Sequence, residues 1–194
     1  MSDSNVQCVI LAAGKSTRTY PLTVTRPKAL LKIANKTILE HTLDNLIGLV
    51  KEVIVIVGFK KEMIIDYFGD EYRGINLLYV EQKEQFGTGH ALLQAKDLIK
   101  DKFIMLNGDD LYSREDIEKC LEKKYCVLAM EVDYPERFGI LKNEGKFVKE
   151  IVEKPESFIS NLANCQAFVL DKSIFDIELK KTARGEFEVI DYVN

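Results

Sequence analysis

The apolar run over residues 6–13, broken only by Gln7 and ended by Gly14, restricts the folds open to this chain more than any other stretch. Such a run suits a strand buried on both faces, the kind found in a mainly parallel sheet covered by helices. A loop follows in which Lys15, Arg18 and Arg26 stand among small residues, and Pro27 then presents Lys28. At the carboxyl end of a strand in an open α/β sheet, such a loop surrounds anionic oxygens with backbone N–H groups and fixed cations. Two well-known phosphate motifs do not fit it. Gly14-Lys15-Ser16 would end a Walker A motif, but Val9 stands where that motif needs its first glycine. The Gly-x-Gly-x-x-Gly fingerprint fails because Ser16 and Thr19 occupy its second and third glycine positions. Local evidence leaves an anion-binding loop of another kind or an ordinary surface loop.

Periodicity places the remaining elements. A helix is predicted over 37–50, with Ile38, Leu39, Thr42, Leu43, Leu46, Ile47 and Val50 on one stripe, then a buried strand over 52–57 closed by Gly58. A short amphipathic helix over 60–68 ends at Gly69, a strand covers 75–80, a helix 88–99 and a fourth strand 102–106. Strand alternating with helix argues for a parallel sheet with helices on both faces. Ser113 caps a helix running to about residue 124, and a fifth strand covers 125–132. Beyond it the pattern changes to strands over 138–141, 146–153 and 165–170, with a hairpin turn at Asn143-Glu144-Gly145. These predict a mixed or antiparallel extension over the mouth of the sheet. One domain over 1–194 is expected, in two parts, 1–132 and 133–194.

A net charge of −4 gives a nucleic-acid partner no general electrostatic support, so the basic residues after the first strand are local in purpose. No apolar run approaches the ~20 residues needed to span a bilayer, and residues 1–7 lack the basic-then-apolar order of a secretory signal. The four cysteines, at 8, 120, 126 and 165, form no Cys-x-x-Cys pair, which disfavours zinc and redox motifs. Buried free thiols in a reducing cytoplasm are the expectation.

Asn107-Gly108-Asp109-Asp110 follows the fourth strand, where a carboxylate is placed either to hold Mg²⁺ or simply to make a tight turn. The connection 81–90 carries Gln82, whose amide offers the donor and acceptor needed to read a pyrimidine edge, and Gly87-Thr88-Gly89 at a helix start. A plain polar loop is the alternative. His41 and His90 are read as structural helix residues, and two histidines support no nucleophilic hydrolase arrangement.

The segment LAAGKSTRTYPLTVTRPKALLKI resembles the L-A-A-G-x-G-T-R-x-x-P-x-T-x-x-x-P-K signature of the sugar-1-phosphate nucleotidyltransferases. Leu11, Ala12, Ala13, Gly14, Thr17, Arg18, Pro21, Thr23, Pro27 and Lys28 match it, and Ser16 departs from its second glycine. The resemblance implies a Rossmann-like α/β fold with a sugar-binding extension. It implies Leu11, Ala12 and Gly14 at the nucleotide, and Arg18 and Lys28 as catalytic cations on its phosphates. Gln82, Gly87 and Thr88 match the base-contacting Q-x-x-x-x-G-T-G-H-A segment of uridylyl- and thymidylyltransferases. Gly139, Glu153, Lys154 and Asn164 match sugar-phosphate positions, with Cys165-Gln166 in place of a T-G pair. Arg184-Gly185-Glu186-Phe187-Glu188-Val189-Ile190-Asp191 resembles R-G-E-x-E-I-T-D, which implies Asp191 as partner of Asp109 in holding Mg²⁺.

The implied reaction joins a nucleoside triphosphate, UTP or dTTP, to glucose-1-phosphate or N-acetylglucosamine-1-phosphate and releases pyrophosphate. A cytidylyl- or guanylyltransferase, or a non-catalytic sensor, is the alternative, although a sensor has no need of Arg18, Lys28, Asp109 and Asp191 together. Nucleic-acid and membrane partners are not expected, and a homo-oligomer is left open. The chain stops three residues after Asp191, whereas relatives continue, so a truncated chain or a compact member is expected.

Overall fold

A computed structural model describes residues 6–182 and 185–194. Arg184, in the last matched segment, lies outside the described residues. Strand β1 (Gln7–Ala12) is buried almost throughout. The basic loop follows, and then β2 (Lys32–Ile33) and β3 (Lys36–Thr37) form a small hairpin that periodicity did not reveal. Its turn is Ala34-Asn35, both at positive φ, as a two-residue hairpin whose twist matches its strands demands.

Helix α1 (Ile38–Leu46) starts on a complete capping box: the Thr37 hydroxyl accepts from the Glu40 N–H and the Glu40 carboxylate accepts from the Thr37 N–H. It stops short of the predicted residue 50 because Gly48 turns the chain at φ 79°. Next come β4 (Glu52–Val57), α2 (Lys61–Phe68) with Gly69 at its end, β5 (Glu71–Tyr72) and β6 (Ile75–Glu81). Helix α3 (Thr88–Leu93) is about half its predicted length. Past it the backbone tightens into i→i−3 bonds, such as Ala95 N–H to Leu92 O at 3.0 Å, which still deliver Ala95 and Ile99 to the core. Strand β7 (Phe103–Asn107), α4 (Arg114–Leu121) capped by Ser113, β8 (Cys126–Glu131), β9 (Gly139–Glu144), β10 (Phe147–Glu153) and β11 (Leu162–Leu170) complete the order.

Among the described residues nine strands make one sheet in the order β10-β9-β11-β7-β1-β4-β6-β5, with β8 also on β11. The four strands β7, β1, β4 and β6 run parallel, as the strand–helix alternation predicted. Strand β8 does not extend that parallel set. It pairs antiparallel with β11, which itself lies antiparallel beside β7 and carries the β9–β10 hairpin at the sheet's far edge. The extension is thus antiparallel and continuous with the parallel sheet.

Alternate residues of β1 go to opposite faces, as the pleat requires. Cys8, Ile10 and Ala12 meet α1, α2 and α4 through Leu39, Leu43, Ile64, Phe68 and Ile117. Val9 and Ala13 meet α3 and the chain's end through Leu92, Ile99, Phe175, Ile190 and Tyr192. All four cysteines are free, and Cys120 and Cys126 bring their sulfurs to 3.6 Å. Against expectation, Cys126 and Cys165 are only half-buried.

Leu43 is 0% exposed and anchors α1 on the sheet. Leu43→Ala should lower stability by about 2–5 kcal/mol, read as a reduced urea midpoint at unchanged m-value.

Candidate active site

The carboxyl ends of β1, β6 and β7 open into a cleft of about 1100 Å³. Backbone bonds stitch its floor together: Gly108 N–H donates to Leu11 O at 2.8 Å, Phe59 N–H to Ala13 O at 3.1 Å, and Gln82 N–H to Val57 O at 2.8 Å. Gln85 adds a side-chain bond to Ala13 O at 2.8 Å. The loop after β1, the turn after β7 and the connection after β6 therefore form one rigid rim.

The loop after β1 holds itself together. Ser16 O accepts from the Thr19 and Thr23 hydroxyls at 2.7 and 2.8 Å, and Thr23 is fully buried. Ser16 sits at φ 50°, ψ 48°, the left-handed conformation that suits the glycine of the matched signature. At this departure the loop thus takes a shape that a glycine would adopt without strain. Leu11, Ala12, Gly14, Arg18 and Lys28 line the cleft from this side, whereas Lys15 and Arg26 do not. Lys28 Nζ pairs with Asp109 Oδ2 at 2.9 Å, bringing the cation of the first loop onto the carboxylate of the turn after β7.

Asp110 turns inward. Its carboxylate accepts from Asn107 Nδ2 at 3.1 Å, and burial together with the Asp109 charge raises its pKa. Tyr112 O–H accepts from the Asn107 N–H and donates to Cys165 O, both at 3.2 Å, which ties β7 to β11 beneath the cleft. Burial, then the Asp110 charge, pushes the Tyr112 phenol up, so it stays a neutral donor.

The connection after β6 is clasped by the end of the chain. Gly87, at φ 98°, passes so close to Phe187 O that a Cβ there would lie 2.4 Å away, which excludes other residues on both counts. Gly89 N–H donates to Phe187 O at 2.8 Å, and Val189 N–H to Thr88 Oγ1 at 3.1 Å. Gln82, Gly87 and Thr88 line the cleft. Gln82 is almost wholly buried, and its Nε2 is engaged by Gly87 O at 3.1 Å and His90 Nδ1 at 3.0 Å.

The opposite wall is the antiparallel extension. Gly139 and Glu153 are register partners, and the Glu153 carboxylate lies over the space a Gly139 side chain would fill. Lys154 lines the cleft at φ 47°, its N–H bonded to Phe138 O at 2.9 Å. Asn164 Oδ1 accepts from Gln166 N–H at 2.8 Å, while its Nδ2 is buried beside the cleft with no partner among the described residues. Gln166 stands at φ 55° within a register shift of β11 on β8, so the T-G departure also keeps a glycine-like backbone.

The cleft thus brings together every predicted site residue except Asp191. Asp191 lies in the 3₁₀ turn Val189–Tyr192, half-buried, and the residues of that segment that line the cleft are Glu186, Glu188 and Ile190. Those two glutamates, with Gln85, Tyr112 and Arg137, were not singled out from sequence. The i, i+2 spacing of Glu186 and Glu188 in an extended segment was the available signal.

A family model of nucleotidyl transferases matches residues 7–194, and the chain belongs to that family. It is 41% identical over 192 residues to the bifunctional protein GlmU of Methanocaldococcus jannaschii, which covers 97% of this chain and 46% of GlmU. The chain therefore spans about half the length of the GlmU proteins it matches. It is 36% identical over 200 residues to the UTP–glucose-1-phosphate uridylyltransferase AglF of Haloferax volcanii, covering 97% of this chain and 82% of AglF. The structure of a UDP-glucose pyrophosphorylase complexed with UDP-glucose matches with a TM-score of 0.88 at 26% identity, covering 97% of this chain and 85% of that one. Among the described residues no helix is long and apolar enough to cross a membrane.

Ser16→Gly should raise stability by ~0.5–1 kcal/mol, because relief of the left-handed side chain outweighs the added freedom of the unfolded chain. Thermal unfolding measures it, and a loss of stability would show that the Ser16 conformation costs nothing.

Proposed function

We propose that this chain transfers a nucleotidyl group from UTP or dTTP to a sugar 1-phosphate, glucose-1-phosphate or N-acetylglucosamine-1-phosphate, and releases pyrophosphate. The observation that carries the reading is the convergence of Arg18, Lys28 and Lys154 on one cleft that also holds Gln82 and the unpartnered Asn164 amide. Three cations suit two phosphorylated substrates, and a buried unpaired N–H₂ suits a sugar oxygen. The four cysteines are free thiols, which suits a cytoplasmic enzyme.

Chemically, an oxygen of the sugar phosphate attacks the α-phosphorus in line, and the bond from that phosphorus to the bridging oxygen of the leaving pyrophosphate breaks. The nucleophile is already an anion, so no general base is needed. The protein's task is positioning and charge neutralisation. The backbone of Leu11, Ala12 and Gly14 seats the triphosphate, and Arg18 holds its β- and γ-phosphates. Lys28 exchanges Asp109 for oxygens of the reacting phosphates as the substrates enter. Gly87 and Thr88 bound the base, Glu153 accepts from sugar hydroxyls over Gly139, Asn164 donates to the sugar, and Lys154 holds the attacking phosphate. The residues that meet the sugar phosphate thus fall within 133–194, and those that meet the nucleotide directly fall within 1–132.

Among the described residues no three His, Cys, Asp or Glu side chains gather into a metal cage. The Asp109 carboxylate, which faces the cleft in its pair with Lys28, is nevertheless the kind of donor Mg²⁺ uses when phosphates and waters complete its shell. Asp109 would hold it, with Asp191 as the second residue implied by the family segment; when bound, the ion neutralises charge on the α-phosphate.

A panel of triphosphates against sugar 1-phosphates, read as pyrophosphate release, tests the reading. Activity confined to CTP or GTP, or to no pair at all, would overturn it. Arg18→Ala and Lys28→Ala should each lower turnover more than tenfold in a folded protein, the loss of a charge-assisted bond worth roughly 1.5–3 kcal/mol. Asp109→Asn should raise the Mg²⁺ concentration for half-maximal activity, and Asp191→Asn should raise it less. Wild-type behaviour of Asp191→Asn in that titration would remove Asp191 from the metal site.

A further inference from the structure

His90 does not line the cleft, yet it touches the residue expected to read the base. Gln82 Nε2 carries two protons. One meets Gly87 O at 3.1 Å, an atom that only accepts, and this fixes which end of the amide faces the loop. The other meets His90 Nδ1 at 3.0 Å, which must then be the unprotonated ring nitrogen. Both donors of the amide are spent inside the protein. Its carbonyl oxygen has no partner among the described residues and is not sealed from solvent, so it is the end presented to the cleft.

The imidazole is itself held firmly. Phe86 meets it edge-on at 5.4 Å and Phe187 stacks on it at 6.5 Å, one from the connection and one from the chain-end segment that clasps it. Gln94, one turn along α3's continuation, donates to His90 O at 3.0 Å, and its Nε2 only packs at 3.3 Å from the second ring nitrogen, which carries the ring proton when Nδ1 accepts. The ring is thus a built support rather than a loose helix residue.

We infer that His90 is a positioning residue that locks the Gln82 amide with its acceptor toward the base, so that the cleft selects bases carrying an N–H at the central edge position. Uracil and thymine carry that proton at N3. Cytosine has a bare acceptor there, and two acceptors face to face leave both unpaired. Discrimination against cytosine therefore depends on a histidine that never touches the nucleotide. This rests on the transfer reaction proposed above, and it adds which pyrimidines are taken and what enforces the choice.

The test compares kcat/KM for UTP and CTP, with the best sugar 1-phosphate, in the wild type, His90→Leu and His90→Asn. Asn places an oxygen acceptor where Nδ1 stands, whereas Leu fills the space without one. Thermal unfolding confirms that each variant is folded. His90→Leu should lower the UTP-to-CTP ratio about fivefold or more, the equivalent of one net hydrogen bond, while the KM for the sugar phosphate stays put. His90→Asn should restore most of the ratio. A wild-type ratio in His90→Leu, or a ratio in His90→Asn as low as in His90→Leu, overturns the role of His90 and leaves the transfer reaction standing. A wild type that uses CTP as well as UTP overturns the base selection, and one that transfers nothing overturns both readings.

Discussion

Parallel pairing of β1 with β4 and β7, under a hydrophobic layer on each face, is the constraint from which the cleft follows. A strand buried on both faces has no freedom to slip register, because a one-residue shift would exchange the side chains meeting α1 with those meeting α3. Its carboxyl end is therefore fixed against the ends of β4 and β7. Ala13 O can then take the Phe59 N–H while Leu11 O takes the Gly108 N–H. The rim of the cleft is an extension of sheet pairing into loops, and it inherits the rigidity of the core. The Lys28–Asp109 pair, 81 residues apart in the chain, is the chemical consequence.

The second half of the site depends on β11. By lying antiparallel beside β7 it brings Asn164 to the mouth of the parallel sheet, and by carrying β9 and β10 it turns Gly139, Glu153 and Lys154 back toward the first loop. Tyr112 locks this junction with one hydroxyl used as both acceptor and donor. The end of the chain closes the remaining side, since Phe187 and Val189 bond directly to the connection that carries Gln82 and Gly87. Three distant segments thus share one rim, and the connection that carries Gln82 combines local bonds to Gly87 and His90 with nonlocal ones to the end of the chain.

Much of this was legible in the amino-acid order because the informative signals were local. A continuous apolar run marked β1, 3.6-residue stripes marked α1 and α2, and the loop matched a signature over many fixed positions. What stayed hidden was set by contacts between distant residues. Nothing near Cys126 says that β8 pairs with β11 instead of extending the parallel strands. Nothing local shortens α3. Ser16 and Gln166 read as departures, yet the backbone at both stands at positive φ, a conformation glycine adopts freely. His90 was read as structural, and only the position of Gln82 across the turn gives it a further task.

If the cleft acts by positioning two substrates and no protein side chain attacks phosphorus, the reaction is a single in-line displacement. The stereochemical course at the α-phosphorus, followed by ³¹P NMR with a chiral α-thiotriphosphate as donor, tests that most directly. Inversion of configuration in the nucleotide-sugar product is the predicted result. Retention, which requires a nucleotidyl–protein intermediate on a group such as the cleft-lining Cys165, would contradict the account.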